Sequence, residues 1–242
     1  MTAPTGGYAR VTMLSIIPVT GIGDVSPGDD VAAAILAAMA RSGLALEDRD
    51  VVVVTHKVVS KAEGRIAAVA TDRDYRDLVE SEAEAVLRRR GDLAITKTKH
   101  GFVCANAGVD RSNVPDGQAV MLPIDPDRSA HSIRRRLEHE TGKHVAVVVS
   151  DTFGRAWRTG LTDVAIGVSG FAPIADLRGT TDMYGRVLDV TEVAIADEIA
   201  AAADLAMGKA SGMPAAIVRG LDLAGEGRAT DLVRQPAGDL FR

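Results

Sequence analysis

A polar segment that can do chemistry follows the apolar residues 145–149. Those five residues are mostly β-branched, which predicts a buried strand. The segment after them contains a carboxylate, a hydroxyl and two guanidinium groups, from Asp151, Thr152, Arg155 and Arg158. Hard cations take oxygen ligands, and arginine binds phosphate oxygens through paired hydrogen bonds. The segment therefore predicts the floor of a site that binds a metal ion and phosphate.

Two other polar clusters also follow hydrophobic strands. One is basic and the other is polar and acidic; their members are Lys57, Lys61 and Arg65, and Asp110, Ser112 and Asn113. Loops at strand ends commonly hold the sites of α/β proteins, so we expect Asp110 and Asp151 to form an acidic pair. Two adjacent carboxylates repel each other and raise one pKa unless a cation lies between them. A bridging Mg²⁺ or Mn²⁺ would remove that penalty and neutralise a triphosphate.

Each cluster also has a purely structural interpretation. Asp110 and Asn113 suit an Asx turn, and Lys57 and Lys61 suit a solvated surface. Trp157, which lies between two arginines, is expected to be a packing anchor rather than a platform for bases. The chain has no Gly-x-x-x-x-Gly-Lys-Ser/Thr phosphate loop and no Gly-x-Gly-x-x-Gly motif. Motifs alone therefore predict a metal and anion site and nothing finer.

The composition excludes several classes of protein. A net charge of −5 argues against a general nucleic-acid binder, and 3% aromatic residues argue against base stacking. Cys104 is the single cysteine, which excludes an internal disulfide and predicts a small buried hydrophobe in a cytoplasmic protein. The first ten residues lack the apolar core of a signal peptide, and no run is long enough to span a membrane, so no membrane partner is expected.

The elements that must position these residues can be predicted from periodicity and caps. Strands are predicted at residues 11–18, 50–55, 93–96, 101–105, 118–122, 145–149, 163–168, 172–177 and 214–219. Helices are predicted from Asp29 or Asp30 to Gly43, over residues 73–90, from Asp127 to Thr141, and over residues 191–207. Residues 1–10 are expected to be flexible. The order predicts a mixed α/β or α+β fold in one interwoven unit with mixed sheets.

Six blocks of the sequence, in order, resemble the coenzyme F420-0:L-glutamate ligase family, the γ-glutamyl ligases of deazaflavin coenzyme biosynthesis. The blocks are residues 58–65, 106–113, 150–158, 182–186, 190–200 and 218–220. They extend over about residues 11–240, and residues 11–242 are expected to form the ligase domain. The resemblance implies a homodimer with an intertwined sheet. Actinobacterial relatives carry a further flavin-binding, nitroreductase-like domain, so any reductase step is expected to lie outside these 242 residues.

The resemblance implies a ligase that uses GTP to add L-glutamate to coenzyme F420-0. The acceptor carboxylate would attack the γ-phosphate, and glutamate would displace phosphate from the resulting acyl phosphate. Mg²⁺ or Mn²⁺, and a monovalent cation such as K⁺, are the implied metals. Two alternatives stay open: a ligase of the same scaffold with another acceptor or amino acid, and a non-catalytic module that binds nucleotide or coenzyme.

The resemblance also implies roles for individual residues. The implied metal ligands are Asp110, Asp151 and Thr152, and the implied catalytic residues are Asp151, Arg155 and Lys61. The implied nucleotide contacts are Ile22, Gly23, Asp24, Val25, His56, Lys61, Asn113, Met207, Gly208 and Met213. His56 stands where relatives often have serine. Lys209 stands where archaeal relatives are expected to have an acidic ligand of a second metal, so that second site is incomplete here or is completed by water or substrate phosphate.

Overall fold

Helices and strands are interleaved, without strict alternation, along residues 13–240, the part of the chain that the computed structural model describes. Its strands are β1 (Ser15–Pro18), β2 (Val51–Thr55), β3 (Ile66–Ala68), β4 (Ala83–Arg90), β5 (Leu93–Thr98), β6 (Val103–Ala105), β7 (Gln118–Val120), β8 (Ala146–Arg155), β9 (Arg158–Ser169), β10 (Ala175–Asp176), β11 (Glu192–Val193) and β12 (Ala215–Arg219). Its α-helices are α1 (Val31–Arg41), α2 (His56–Ala62), α3 (Asp72–Glu82), α4 (Pro126–Thr141) and α5 (Ile195–Met207). This mixture confirms the predicted α+β class. The predicted flexible residues 1–10 and the predicted strand start at Val11 lie outside the described residues.

The largest sheet has the strand order β1-β12-β2-β8-β9. Neighbouring strands are antiparallel except β2 and β8, which are parallel. The four valines of β2 are all 0% exposed, and successive strand residues point to opposite faces, so both faces are covered at this strand. The parallel register aligns Thr55 with Ser150. The polar segments that follow the two valine runs are therefore neighbours.

Helices α4 and α5 pack against this sheet, α4 on β8 and β9 and α5 mainly on β9 and β12. The predicted cap of α1 is confirmed, because the side chain of Asp30 accepts a hydrogen bond from the Ala33 N–H. The predicted cap of α4 is wrong. Asp125 caps this helix, with Pro126 at its first position. Asp127 instead accepts backbone hydrogen bonds from Val168 and Ala229, at 2.8 Å each.

The predicted long helix over residues 73–90 is also wrong, because its second half is a strand. Helix α3 ends at Glu82, and β4 pairs with β5 in a three-stranded sheet completed by β6. Only two residues join β4 to β5, and Gly91 there has a positive φ of 59°, which suits a tight hairpin turn. Across the hairpin, Glu84 binds Lys97 at 2.8 Å. Strand pairing outweighs the good helix propensity of alanine, glutamate, leucine and arginine.

Smaller differences concern the connection between β9 and α5. The expected strand over residues 172–177 is reduced to Ala175–Asp176, which pairs with Glu192–Val193. This pairing delays the start of α5 from the predicted Thr191 to Ile195. Helix α2 was not predicted from the sequence, although it follows β2 directly. Within residues 13–240, no helix is both long and apolar enough to cross a bilayer.

Candidate active site

A cleft of about 380 Å³ lies where β2 ends, beside the middle of β8. Four stretches that are distant in the sequence surround it: the loop of residues 22–25, the start of α2, the middle of the β8–β9 hairpin, and the turn after α5. The parallel pairing of β2 with β8 brings the second and third of these together. Antiparallel pairing of β12 with β2 brings in the fourth, because β12 begins just after that turn.

Most of the site residues predicted from the sequence line this cleft. They are Ile22, Gly23, Asp24, Val25, His56, Lys61, Asn113, Asp151, Thr152, Met207, Gly208 and Met213. Two predicted residues, Asp110 and Arg155, do not line it. The structure thus collects one group of residues in one place, while the role of each residue stays a prediction.

Helix α2 carries the basic side of the cleft. Lys57 and Lys61 are four residues apart, which places them on the same side of the helix. Lys61 binds Asp24 across the cleft at 2.8 Å, and this hydrogen bond, with the charge of Lys61, lowers the pKa of Asp24. The Nε2 atom of His56 is buried, lies 3.2 Å from Asp151 Oδ1, and makes no hydrogen bond of good geometry within the described residues.

Asp110 does not line the cleft, but it forms an ion pair with Lys57, which does. Its carboxylate binds the Lys57 ammonium at 2.7 Å and accepts hydrogen bonds from the backbone and hydroxyl of Ser112. Burial would raise the pKa of Asp110, but the bonds from Lys57 and Ser112 together bring it below its usual value. Asp110 and Asp151 therefore contact consecutive residues of α2, Lys57 and His56, and the metal ligation predicted for Asp110 stays a prediction.

The polar segment after Val149 belongs to a strand rather than to a loop, because β8 continues to Arg155 and turns into β9. The hairpin register places Thr152 opposite Asp163. Asp163 is buried, and its carboxylate accepts hydrogen bonds from the hydroxyls of Ser150 and Thr152. The sequence reasoning missed Asp163 as a site residue. The signal was available, since this charged residue stands directly before the apolar run of residues 164–168.

The turn after α5 supplies the last cationic group. Lys209 donates a hydrogen bond to the Thr152 hydroxyl, and Asp204 also lines the cleft. Burial and the nearby charge of Asp163 raise the pKa of Asp204, while Lys209 lowers it. The hydroxyl of Ser211 bonds back to the Met207 carbonyl and closes the turn. Lys57 and Asp204 are further cleft residues that were not assigned a role from the sequence.

The far end of the β8–β9 hairpin lies outside the cleft. Arg155 is exposed, and its guanidinium donates to the Thr159 carbonyl within the same hairpin at 3.0 Å. The catalytic role predicted for Arg155 stays a prediction. The expectation that Trp157 is a packing anchor is wrong for this chain, because its side chain is 77% exposed.

The expectation for Cys104 is confirmed: it is buried, and burial together with the charge of Asp151 raises its pKa to about 12.

The oxygen atoms of the cleft fit a divalent cation that takes only some of its ligands from the protein. Within residues 13–240, no group of three or more histidine, cysteine or acidic side chains is arranged to hold a metal. Mg²⁺ commonly uses one or two carboxylates and completes its shell with water and phosphate oxygens. Asp151, with the unpartnered His56 Nε2 beside it, and the Thr152 hydroxyl provide such a partial set.

Comparisons with known proteins identify one family. The profile of the F420-0:Gamma-glutamyl ligase family matches residues 21–220. The chain is 44% identical to the Coenzyme F420:L-glutamate ligase of Methanothermobacter thermautotrophicus, over 95% of this chain and 99% of that protein. It is 43% identical to the protein of the same name from Methanopyrus kandleri, over 95% and 98% of the two chains. For the one from Archaeoglobus fulgidus the identity is 41%, over 95% and 96%.

Proposed function

Because this chain belongs to the F420-0:gamma-glutamyl ligase family, we propose that it joins L-glutamate to coenzyme F420-0 through an amide bond. The chain is thus a ligase, and the finer proposal concerns its substrates and its energy source. The observation that carries the proposal is the cleft at the end of β2 and the middle of β8. That cleft combines three lysines with carboxylates and hydroxyls, which is the chemistry needed to hold a polyphosphate beside a reacting carboxylate.

Forming an amide from a carboxylate and an amine requires an activated acyl group. In the proposed reaction, the acceptor carboxylate attacks the γ-phosphorus of GTP. The bond from that phosphorus to the β,γ-bridging oxygen breaks, and GDP leaves with the electron pair. The amine of glutamate then attacks the acyl phosphate carbon, the carbon–oxygen bond to phosphate breaks, and the amine loses a proton. Later rounds would use the γ-carboxylate of the added glutamate and extend a γ-linked tail.

The chain's own residues support this chemistry by position and charge. Lys57 and Lys61 would bind phosphate oxygens, and fixed cations stabilise charge that develops during phosphoryl transfer. The apolar side chains of Ile22 and Met207 are buried at the cleft and would form a wall for the purine. Enclosure between these segments would also keep water away from the acyl phosphate.

Asp151 and Thr152 are the cleft residues that would hold Mg²⁺ or Mn²⁺, with Asp110 behind Lys57 as a further carboxylate. Such an ion, when bound, neutralises phosphate charge and polarises the transferred phosphoryl group. A monovalent cation such as K⁺ would add to the same neutralisation. The buried Nε2 atom of His56, which lies 3.2 Å from Asp151 Oδ1, would help to orient this carboxylate.

The proposed function is tested by mixing the purified protein with F420-0, L-glutamate, GTP and Mn²⁺. Mass spectrometry should show a product heavier by one glutamyl group, with one GDP formed for each bond. Reactions that omit one component at a time, or replace GTP with ATP, test each requirement. Glutamylation without GTP would overturn the proposed energy source. Product with another amino acid and none with glutamate would favour the same-scaffold alternative, and absence of all products would favour the binding module.

We also propose that two copies associate through the outer part of the β8–β9 hairpin. Trp157 and Leu161 lie there and are 77% and 65% exposed, and buried aromatic and apolar side chains are typical of interface centres. Sedimentation velocity should show a dimer, and the double variant Trp157→Ser/Leu161→Ser should shift it towards monomer. Met183→Ser, a change at a residue that is 88% exposed on another loop, is the control. A monomeric wild type would contradict the proposal.

A further inference from the structure

The three lysines of the cleft differ in how their charges are balanced. Lys57 is paired with Asp110 at 2.7 Å, and Lys61 is paired with Asp24 at 2.8 Å. Lys209 makes no ion pair within the described part of the chain, and its ammonium contacts the neutral hydroxyl of Thr152. Its charge is therefore the one that a substrate can use without breaking an existing ion pair.

The surroundings of Lys209 favour a cation. The buried carboxylate of Asp163 shares Thr152 as a partner, and Asp204 lines the same wall. Helix α5 ends at Met207 without a basic residue in its last turn, so its negative end is left for a nearby cation. Burial first, and then the charge of Asp163, raise the pKa of Asp204, whereas the charge of Lys209 lowers it.

The turn that carries Lys209 is closed by local hydrogen bonds. Gly208 and Gly212 flank the turn with positive φ angles of 60° and 69°, a conformation that glycine adopts most readily. The Gly208 N–H bonds to the Asp204 carbonyl at 2.8 Å, and Ser211 closes the turn onto Met207. An ammonium group has three donors, so Lys209 can keep its bond to Thr152 and still donate to phosphate.

From this arrangement we propose that Lys209 is a built-in cation of the phosphate site, which stays beside Thr152 and Asp163 and binds a phosphate oxygen of the nucleotide directly. Its ammonium occupies a position that the Asp163 carboxylate, Asp204 and the C-terminal end of α5 make favourable for a cation. The inference rests on the proposed function, because it assumes that the cleft binds a nucleoside polyphosphate. It assigns Lys209 a role that is separate from the metal ligation proposed for Asp151.

Nucleotide binding without metal tests this role directly. Calorimetry with GDP in the presence of EDTA should show binding by the wild type and binding at least about tenfold weaker by Lys209→Met, from the loss of one charged hydrogen bond. Lys209→Arg keeps the charge and should restore part of the affinity. Lys143→Met is the matched control, because Lys143 pairs with Asp48 just before β8, at the opposite end of the parallel strands from the cleft. It should bind GDP like the wild type.

The outcomes separate this inference from the function it rests on. Equal GDP affinity of the wild type and Lys209→Met, or wild-type binding that requires Mn²⁺, would overturn the role of Lys209 alone. A wild type that binds no GDP even with Mn²⁺ would overturn the proposed function as well. Unfolding temperatures of the variants should match, since Lys209 is exposed, so a loss of affinity would not reflect a loss of fold.

A count of bound metal ions provides an independent check. Electron paramagnetic resonance of Mn²⁺ with GDP should show one more bound ion per site in Lys209→Glu than in the wild type. The introduced carboxylate would lie beside the Thr152 hydroxyl and close to Asp163, which are oxygen groups of the kind that Mn²⁺ takes. An unchanged number of bound ions would contradict the claim that the ammonium occupies a cation position.

Discussion

At the scale of single residues, the site depends on how charges are paired before substrate arrives. Two cleft lysines are held by carboxylates, Lys57 by Asp110 and Lys61 by Asp24. A bound polyphosphate would compete with those carboxylates for the lysines. Asp151 differs from these acids, because its neighbour His56 makes no hydrogen bond of good geometry to it within the described residues. Its carboxylate is therefore not paired with a lysine within the described residues and can bind a cation.

Replacing Asp151 should reduce the ligase rate strongly. Asp151→Asn removes the negative charge and keeps the oxygen that accepts the Thr152 N–H at 2.7 Å, so the fold should persist. We expect the rate of glutamylation to fall by about 100-fold or more, as for the loss of a main electrostatic group. The measurement is the initial rate of product formation by mass spectrometry. Asp92→Asn, a change in an exposed ion pair on the β4–β5 turn, should leave the rate unchanged. A rate for Asp151→Asn near that of the wild type would remove Asp151 from the mechanism.

At the scale of elements, the parallel pair β2–β8 determines where the site lies, and buried polar contacts hold neighbouring elements in place. Asp127 on the first turn of α4 is one such contact. One of its oxygens accepts both the Val168 N–H of β9 and the Ala229 N–H, so it joins three parts of the chain. Burial raises the pKa of this carboxyl above its ordinary value, even though the two backbone bonds lower it. The carboxylate thus accepts two backbone hydrogen bonds, but burying its negative charge lowers the stability of the folded state.

Two variants of Asp127 should separate the effect of its hydrogen-bond acceptor on stability from the effect of its charge. Asp127→Ala leaves two backbone donors without their partner and should lower the free energy of unfolding by about 2–4 kcal/mol. Asp127→Asn keeps an acceptor oxygen and should cost much less. Because the folded-state pKa is raised, the ionised carboxylate destabilises the fold above that pKa, and the penalty disappears as the pH falls through it. Urea unfolding at several pH values should therefore show the wild type gaining stability relative to Asp127→Asn on acidification. An unchanged difference would contradict the assigned pKa direction.

At the scale of the whole molecule, the cleft joins segments that are far apart in sequence. Residues 22–25 and residues 207–213 both line it, and both lie outside helices and strands for most of their length. Segments of this kind open easily on their own. A ligand that contacts both would hold them together and stabilise the folded state by mass action.

Hydrogen exchange should reveal this coupling between distant segments. With GDP and Mn²⁺ bound, exchange of the amides in residues 22–25 and 207–213 should slow together, since one ligand would contact both. Residues 179–187, a loop that does not line the cleft, serve as the internal control and should exchange at an unchanged rate. Protection of one segment without the other would show that the nucleotide does not contact both segments.

Features that depend on interactions between residues close in the sequence were predicted correctly, whereas features that depend on contacts between distant residues were not. The valine runs, the caps of α1 and the end of α4 at Gly142 were predicted because burial periodicity and capping act over a few residues. The helix predicted over residues 73–90 was wrong, because pairing with β5 is a tertiary contribution that overrides helix propensity. The residue types of Ser150, Asp151 and Thr152 indicated a site, whereas Asp163 was missed because its partners lie on another strand.

The sequence by itself determined the α+β class, the family and the set of residues with which a site could be built. Only the tertiary structure decided which of them meet: it placed Thr152, Asp163 and Lys209 in contact, and it left Arg155 and Trp157 on an exposed hairpin. The physical reason is that residue type specifies what a side chain can bind. The register between β2, β8 and β9, which depends on burial of entire strands, specifies what it can reach.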